Sequence, residues 1–117
     1  GLVGFQNLIV KISFFVDPAL EILIQCLHMF YVYVLKMVNN QLYIGFSNNL
    51  KERIKKHKEG KVLTTKKYLP VSLVYYECYL AQKDAKRREF MLKRYGSTYV
   101  HLRNRISNNV RESQGRG

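Results

Sequence analysis

The sequence predicts a small α+β domain built on a three-stranded sheet. Two strand-like runs rich in β-branched and aromatic residues flank a polar turn, and a third such run follows Pro70. The segments between and after these runs repeat apolar residues at helical spacing. With 117 residues, of which 47% are hydrophobic, the chain is long enough for one domain with one core.

The first predicted element is a β-hairpin formed by residues 30–37 and 41–46. The asparagines at residues 39–40 tolerate the positive φ angle of a tight turn. Because side chains alternate along a strand, the apolar residues of the second strand point to one face. Tyr43 lies on the opposite face beside Gly45, and the missing side chain of the glycine is expected to leave open space.

A basic helix is predicted next, over residues 50–59. Residues 47–49 supply capping side chains before it, and Gly60 is a suitable terminator after it. The lysines of this helix fan over its outer side, whereas Arg53 and His57 lean inward. Because they are four residues apart, these two side chains lie one above the other on the same face.

A third strand over residues 71–79 and a second helix over residues 82–95 follow a basic loop. Glu89 falls within about 40° of the centre of the apolar arc of this helix. A carboxylate in that position is costly to bury alone, so it needs a cation, an arginine or a metal ion beside it. A last helix is predicted after residues 96–97. Its apolar stripe consists of Tyr99, Leu102, Ile106 and Val110.

The chain is strongly basic, with 20 Lys and Arg against 8 Asp and Glu and a net charge of +12. Polyphosphates and anionic membrane surfaces offer the complementary charge, and the balance favours nucleic acid as the partner. Cys26 and Cys78 have no metal-ligand spacing. This pattern favours two buried thiols in a reducing, cytoplasmic compartment over a disulfide.

Residues 1–28 differ from the rest of the chain, because they carry one Lys, one Asp and one Glu among mostly apolar residues. No run within them reaches the roughly 18 apolar residues of a membrane-spanning helix, and they lack the features of a signal peptide. Met29 directly precedes the first strand. Together with the change in composition after residue 28, this favours a leader foreign to the native protein over a native extension with a helix after Asp17. The domain then covers residues 29–110, and the polar tail at residues 111–117 is expected to be disordered.

The order and spacing of several residues match a known pattern. In chain order, the matching segments are Tyr31-Val-Tyr33, Tyr43-Ile-Gly45, Asn49-Leu-Lys-Glu-Arg53 and Ala85-Lys-Arg-Arg-Glu89. Over residues 30–95 the chain resembles the GIY-YIG nuclease domain, above all the short stand-alone proteins related to the excision-repair incision subunit and to Slx-type endonucleases. Tyr31 departs from the pattern, because the family pattern has its name-giving glycine at this position. Asn104 is the nearest match to the supporting asparagine of larger members and is left out of the expected site.

The resemblance implies a metal-dependent site for phosphodiester hydrolysis. It implies one divalent ion, Mg²⁺ or Mn²⁺, that is held by Glu89 and bound weakly without DNA. It also implies that Arg53 clamps the scissile phosphate, that Tyr33 and Tyr43 activate and position the attacking water, and that His57 relays a proton. Without the resemblance, these tyrosines are ordinary strand residues, and the arginine and histidine are ordinary helix residues.

The implied function is a metal-dependent DNA endonuclease of DNA repair or recombination. One small domain has little area for reading bases, so the expected substrates are flaps, branches or damaged DNA. The alternative is a nucleic-acid-binding protein that cleaves weakly or not at all, and a third reading makes residues 1–28 a membrane or partner anchor. A small-molecule cofactor is not expected, a membrane partner is disfavoured, and the sequence leaves the oligomeric state open. The lysines expected to contact the DNA backbone are Lys51, Lys55, Lys56, Lys58, Lys61, Lys66 and Lys67.

Overall fold

The computed structural model describes residues 28–115, which form a three-stranded antiparallel sheet and four α-helices. In chain order the elements are β1 (Phe30–Lys36), β2 (Leu42–Ser47), α1 (Leu50–Lys58), β3 (Ser72–Tyr79), α2 (Gln82–Arg94), α3 (Gly96–Arg105) and α4 (Ser107–Gly115). This arrangement confirms the predicted α+β fold class. Among the described residues, no helix is both long enough and apolar enough to cross a membrane. The expectations for residues 1–27, including Cys26, lie outside the described part of the chain. Cys78 is exposed rather than buried, because it lies on the same face of β3 as the exposed Tyr76.

The central strand of the sheet is β1, which pairs antiparallel with β2 on one side and β3 on the other. The turn between β1 and β2 places Asn40 at a φ of 67°, as its residue type predicts. In this register Tyr33 lies opposite Gly45 of β2 and opposite Tyr76 of β3. Tyr33 therefore occupies the middle of the sheet, with a strand on each side.

Apolar side chains pack on both faces of the sheet, because β1 is covered on both sides. On one face, Val32, Val34, Ile44 and Val74 of the sheet pack with the helix residues Ala85, Leu92, Leu102 and Ile106. On the other face, Tyr33, Leu35, Met37 and Val71 pack with Leu50 and Ile54 of α1. Tyr33 therefore places a polar hydroxyl group within the interface between the sheet and α1.

The boundaries of α1 follow the local signals in the sequence. The Asn49 side chain accepts a hydrogen bond of 3.2 Å from the backbone N–H of Glu52 and caps the start of the helix. At the other end Gly60 adopts a φ of 75°, a conformation that favours glycine. His57 is buried and Arg53 is half-buried, so both point inward as predicted.

A carboxylate on β3 holds α2 in place. Glu77 accepts hydrogen bonds from the Nε and NH2 groups of Arg88, each at 3.0 Å. It also accepts hydrogen bonds from the hydroxyl groups of Tyr75, at 2.8 Å, and Tyr79. Burial alone would raise the pKa of Glu77, but these hydrogen bonds hold it below its ordinary value. The carboxylate therefore has its hydrogen-bond partners within the fold and fixes α2 against the edge of the sheet.

The predicted last helix is two helices rather than one. α3 and α4 meet at Ile106, whose φ of −105° and ψ of 18° depart from helical values. The apolar stripe nevertheless continues across this junction, because Ile106 donates a backbone hydrogen bond to Leu102 and accepts one from Val110. The break therefore leaves these residues in contact with the core.

The end of α4 differs from the disordered tail expected for residues 111–117. The helix continues to Gly115, and residues 116–117 lie outside the described part. The hydroxyl group of Ser113 donates a hydrogen bond of 2.6 Å to the carbonyl oxygen of Val110, which itself packs against the core. Local hydrogen bonds and one buried contact thus extend the helix where the sequence has no further apolar residue.

The space above Gly45 is filled, which corrects the expectation of open space there. A Cβ atom on Gly45 would overlap the ring of Tyr33, at 2.8 Å from Cε1 and closer still to Cζ and the hydroxyl oxygen. The absent side chain therefore makes room for the buried tyrosine on the central strand.

We expect Gly45→Ala to lower the free energy of unfolding by about 1–3 kcal/mol, because the Tyr33 ring must move out of a packed interface. Urea unfolding of the purified protein measures this change. Gly96→Ala is the matched control, since a Cβ atom on Gly96 meets nothing within 4 Å. Equal stability of the two variants would contradict the steric argument.

Candidate active site

The candidate site is organised around the hydroxyl group of Tyr33. This residue is 0% exposed, and its hydroxyl oxygen lies 2.7 Å from Nε2 of His57. The same oxygen accepts a hydrogen bond of 3.4 Å from Nε of Arg53. Because Arg53 and His57 are one turn apart on α1, both reach the same group on the central strand. The structure thus brings three of the residues predicted for the site into direct contact.

His57 extends these contacts into the loop that follows α1. Its Nδ1 atom lies 2.8 Å from Oγ1 of Thr65, and both residues are 0% exposed. Thr65 was missed by the sequence analysis, because a threonine in a basic loop belongs to no periodic pattern. Without the folded loop, nothing in the sequence identifies it as the partner of a buried histidine.

Burial, and then the positive charge of Arg53, lower the pKa of His57 to about 4. The imidazole is therefore neutral at neutral pH, with one donor and one acceptor nitrogen. In one tautomer Tyr33 donates to Nε2 and Nδ1 donates to Thr65, and in the other tautomer both directions reverse. Both hydrogen bonds of His57 can consequently reverse their direction without any of the three groups gaining or losing a charge.

The phenol of Tyr33 and the guanidinium group of Arg53 keep their protons. Burial raises the pKa of Tyr33 to about 12, although the hydrogen bond from Arg53 works in the opposite direction. The pKa of Arg53 is raised above its ordinary value, chiefly by its hydrogen bond to Tyr33. A neutral phenol and a fixed positive charge therefore stand side by side.

Tyr43 lies on β2 at the edge of this cluster. Its ring centroid is 6.3 Å from that of Tyr33 and 5.2 Å from that of His57. Its charge interaction and a side-chain hydrogen bond also raise the pKa of Arg53. Unlike Tyr33, Tyr43 is only half-buried. It is therefore the tyrosine of the cluster that remains in contact with solvent.

Glu89 approaches the cluster from α2, close enough for its negative charge to raise the pKa of Tyr33. Its side chain is 18% exposed and accepts a hydrogen bond of 3.0 Å from Nζ of Lys93, which also lies 6.0 Å from the centre of the Tyr43 ring. The carboxylate thus has the cation that its position requires. The pairing of Lys93 with Glu89 was not predicted, although their spacing of four residues is the signal that identifies such pairs.

The oxygen ligands of the site suit a weakly held divalent ion. Within residues 28–115 no group of three or more His, Cys, Asp or Glu side chains could surround a metal. Glu89 offers one carboxylate, which is a ligand type that Mg²⁺ prefers. Mg²⁺ commonly keeps several waters and takes further oxygens from phosphate. One carboxylate therefore fits such an ion when DNA supplies the remaining ligands, while Lys93 competes for the same oxygen.

The lysines predicted to contact DNA are all exposed. They are Lys51, Lys55, Lys56 and Lys58 on α1, Lys61 in the following loop, and Lys66 and Lys67 in a 3₁₀ turn. α1 therefore has the residues of the candidate site on its inner side and positive charge on its outer side. Asn104 is exposed on α3.

Residues 29–103 match the family model described as the GIY-YIG catalytic domain. A UPF0213 protein of Bacillus pumilus is 37% identical over 67 residues, which cover 56% of this chain and 68% of the relative. A UPF0213 protein of Staphylococcus haemolyticus is 41% identical over 66 residues, which cover 56% of this chain and 80% of the relative. The solution NMR structure of a UPF0213 protein from Bacillus halodurans is 29% identical, covers 69% of this chain and 92% of that one, and has a TM-score of 0.43.

The low pKa of His57 predicts a pH dependence of folding stability. The native pKa is about 4 and the ordinary value is 6.5, so only the unfolded state takes up this proton between the two. The free energy of unfolding should therefore fall by up to about 3 kcal/mol as the pH drops from 6.5 to 4 and level off below. Urea unfolding across this range should show a shallower pH slope for His57→Gln than for the unaltered protein.

The control for this experiment is His101→Gln, because His101 is exposed on α3. This variant should keep the pH slope of the unaltered protein. Other carboxylates titrate in the same window, so the relevant quantity is the difference in slope between the variants. An unchanged slope in His57→Gln would contradict the neutral, buried state of the histidine.

Proposed function

Because the chain belongs to the GIY-YIG family, a nuclease family, we propose that it is a metal-dependent DNA endonuclease that hydrolyses phosphodiester bonds. The observation that supports this most is the hydrogen bond from Arg53 to Tyr33, beside the ring of Tyr43 and within reach of the charge of Glu89. A phosphate-binding cation, a hydroxyl group in contact with solvent and an oxygen ligand for a metal then lie in one place. Phosphodiester hydrolysis needs these three kinds of group.

Arg53 is the residue that we assign to the scissile phosphate. Its guanidinium group has five N–H donors in a planar fork, which suits the oxygens of a phosphate. The hydrogen bond to Tyr33 uses Nε and leaves terminal N–H groups for the substrate. Since the side chain is half-buried and held by two tyrosines, little of its freedom remains to be lost when phosphate binds.

The two tyrosines are assigned different roles. Tyr33 is 0% exposed and has a pKa of about 12, so it neither reaches the attacking water nor accepts its proton. We assign Tyr43 to the water, because it is half-buried and lies beside the positive charge of Arg53. Tyr33 and the buried His57 are positioning residues in this proposal, since His57 holds Tyr33 and Tyr33 holds Arg53.

Glu89 is the proposed ligand of a single Mg²⁺ or Mn²⁺ ion. When bound, such an ion supplies positive charge that offsets the negative charge developing on the phosphate. Lys93 is half-exposed and can exchange the carboxylate for a phosphate oxygen.

The proposed substrate is flapped, branched or damaged DNA, in repair or recombination. The exposed lysines of α1 and of the loop after it offer phosphate contacts, which carry no sequence information. Selection by the shape of the DNA is then the means available to so small a surface. The free, exposed thiol of Cys78 is compatible with the reducing cytoplasm, where we propose that the protein acts.

A second candidate function is nucleic-acid binding without efficient cleavage. The specific observation in its favour is the ion pair between Glu89 and Lys93, at 3.0 Å, which occupies the proposed metal ligand. In this case the lysines and Arg53 would hold DNA while the carboxylate serves the stability of α2. Cleavage assays separate the two functions, because both require DNA binding and only one requires a metal.

We expect Glu89→Gln to remove metal-dependent nicking of flapped and nicked DNA, because an amide keeps the shape of the side chain and loses the charge that binds the ion. Gel electrophoresis of labelled substrates with Mg²⁺, Mn²⁺ or EDTA measures this loss. Glu112→Gln on α4 is the control and should cleave as the unaltered protein does.

Binding of the same DNA should persist in Glu89→Gln, and fluorescence anisotropy in EDTA measures it. Nicking that is equal in Glu89→Gln, Glu112→Gln and the unaltered protein would be a contaminating activity. With salt-sensitive binding intact, that result would favour the second candidate function over the endonuclease.

The different roles assigned to the two tyrosines predict different losses of kcat and of folding stability in the two Tyr→Phe variants. Tyr43→Phe should lower kcat by about 10²–10⁴-fold and leave the Kd for DNA nearly unchanged, as expected for a group that acts on the attacking water in the transition state. Tyr33→Phe should lower kcat less and reduce the free energy of unfolding by about 1–3 kcal/mol, because it leaves the buried Nε2 of His57 without a partner. Single-turnover kinetics and urea unfolding measure both effects, and a larger loss of kcat in Tyr33→Phe would reverse the assignment.

A further inference from the structure

A cleft of about 410 Å³ opens on the surface of α2 directly beside Glu89. This volume is within the range of ligand-binding sites. The residues that line it are Lys86, Glu89, Phe90, Lys93 and Arg94. Their spacings of three and four residues place them on one stripe of the helix. The cleft therefore shares Glu89 and Lys93 with the candidate active site and extends away from it along α2.

Phe90 is the apolar residue in this cleft, and the fold does not use it as a core residue. It is 57% exposed, whereas the buried residues of α2 are Ala85 and Leu92. Its ring meets that of Tyr95, which is 47% exposed, in an edge-to-face arrangement with centroids 6.4 Å apart. An exposed pair of aromatic rings is costly to keep in water and is typical of a binding surface.

Positive charge surrounds these rings. Lys86, Lys93 and Arg94 all line the cleft, and each is exposed. Nζ of Lys86 lies 4.1 Å from the centre of the Phe46 ring, which fixes it at the end of the cleft nearest the sheet. Flat aromatic surface between cations is the combination that binds single-stranded nucleic acid, because bases stack on the rings and phosphates pair with the cations.

We propose that this cleft binds an unpaired nucleotide of DNA next to the scissile phosphate, with its base stacked on Phe90 and its phosphate against Lys86 or Arg94. The inference rests on the proposed endonuclease function and narrows its substrate. A base within a duplex has both faces covered by its neighbours, so it must be unstacked before it can cover Phe90. The cleft therefore selects DNA with a single-stranded segment beside the cut, such as a flap, over continuous duplex.

The direct test places a fluorescent reporter in the cleft. The chain contains no tryptophan, so Phe90→Trp carries the single indole group of the protein. In EDTA, single-stranded oligothymidine should quench its fluorescence by stacking, and a blunt duplex of equal length should quench it much less. Leu80→Trp is the control, because Leu80 is 71% exposed and does not line the cleft. Its fluorescence should change little with either DNA.

A second variant measures what the stack contributes to affinity. Phe90→Ala should bind flapped DNA about five- to a hundredfold more weakly and should bind blunt duplex within about twofold of the unaltered protein. Leu80→Ala should bind both DNAs as the unaltered protein does. Fluorescence anisotropy in EDTA measures these affinities.

Two binding results would overturn the inference. One is unchanged fluorescence of Phe90→Trp at oligothymidine concentrations that saturate binding by anisotropy. The other is an equal loss of affinity for flap and duplex in Phe90→Ala. Because these are binding measurements without metal, they can support the cleft even if the protein cleaves nothing. Equal cleavage of flaps by Phe90→Ala and the unaltered protein would leave the endonuclease intact and contradict only the cleft.

Discussion

The contact between the Tyr33 hydroxyl group and the buried imidazole of His57 is the interaction on which the rest of the site depends. It lies within the interface between the sheet and α1, where an unpaired polar group is costly and a satisfied network defines one arrangement. Thr65 completes the network on one side and Arg53 on the other, and Gly45 leaves room for the ring. Among the described residues, no buried side-chain nitrogen or oxygen lacks a hydrogen-bond partner. The register of the strands and the rotation of α1 are therefore set together, because a shift in either one breaks these contacts.

Local signals were sufficient to predict the elements and much of the candidate site. Asn40 and Gly60 have the residue types that positive φ angles favour, and both adopt such angles. The four-residue spacing of Arg53 and His57 is enough to place both side chains on the inner side of a helix. The position of Glu89 near an apolar arc likewise predicts a charged partner, and Lys93 supplies it. Each of these predictions depends on backbone geometry within one element, which the sequence encodes directly.

Features that depend on contact between distant elements could not be predicted in the same way. The close approach to Gly45 involves a ring from another strand, so the glycine alone indicates only space. Thr65 becomes significant only when its loop folds over a histidine eight residues earlier. The apolar stripe continues across the break at Ile106, so the spacing of apolar residues gives no sign of the break. These features follow from packing, and packing selects among several conformations that the local sequence permits equally well.

Three consecutive residues of α2 connect the helix to three different parts of the molecule. Arg88 fixes the helix to Glu77 of β3, Glu89 faces the tyrosine cluster, and Phe90 faces solvent in the cleft. Neighbouring residues on a helix point about 100° apart, so these directions cannot be adjusted independently. The Arg88 contact holds the helix against the sheet, and the helix backbone holds the distance between the carboxylate and the exposed ring. A nucleotide stacked in the cleft would therefore meet the candidate active site at a spacing set by the helix itself.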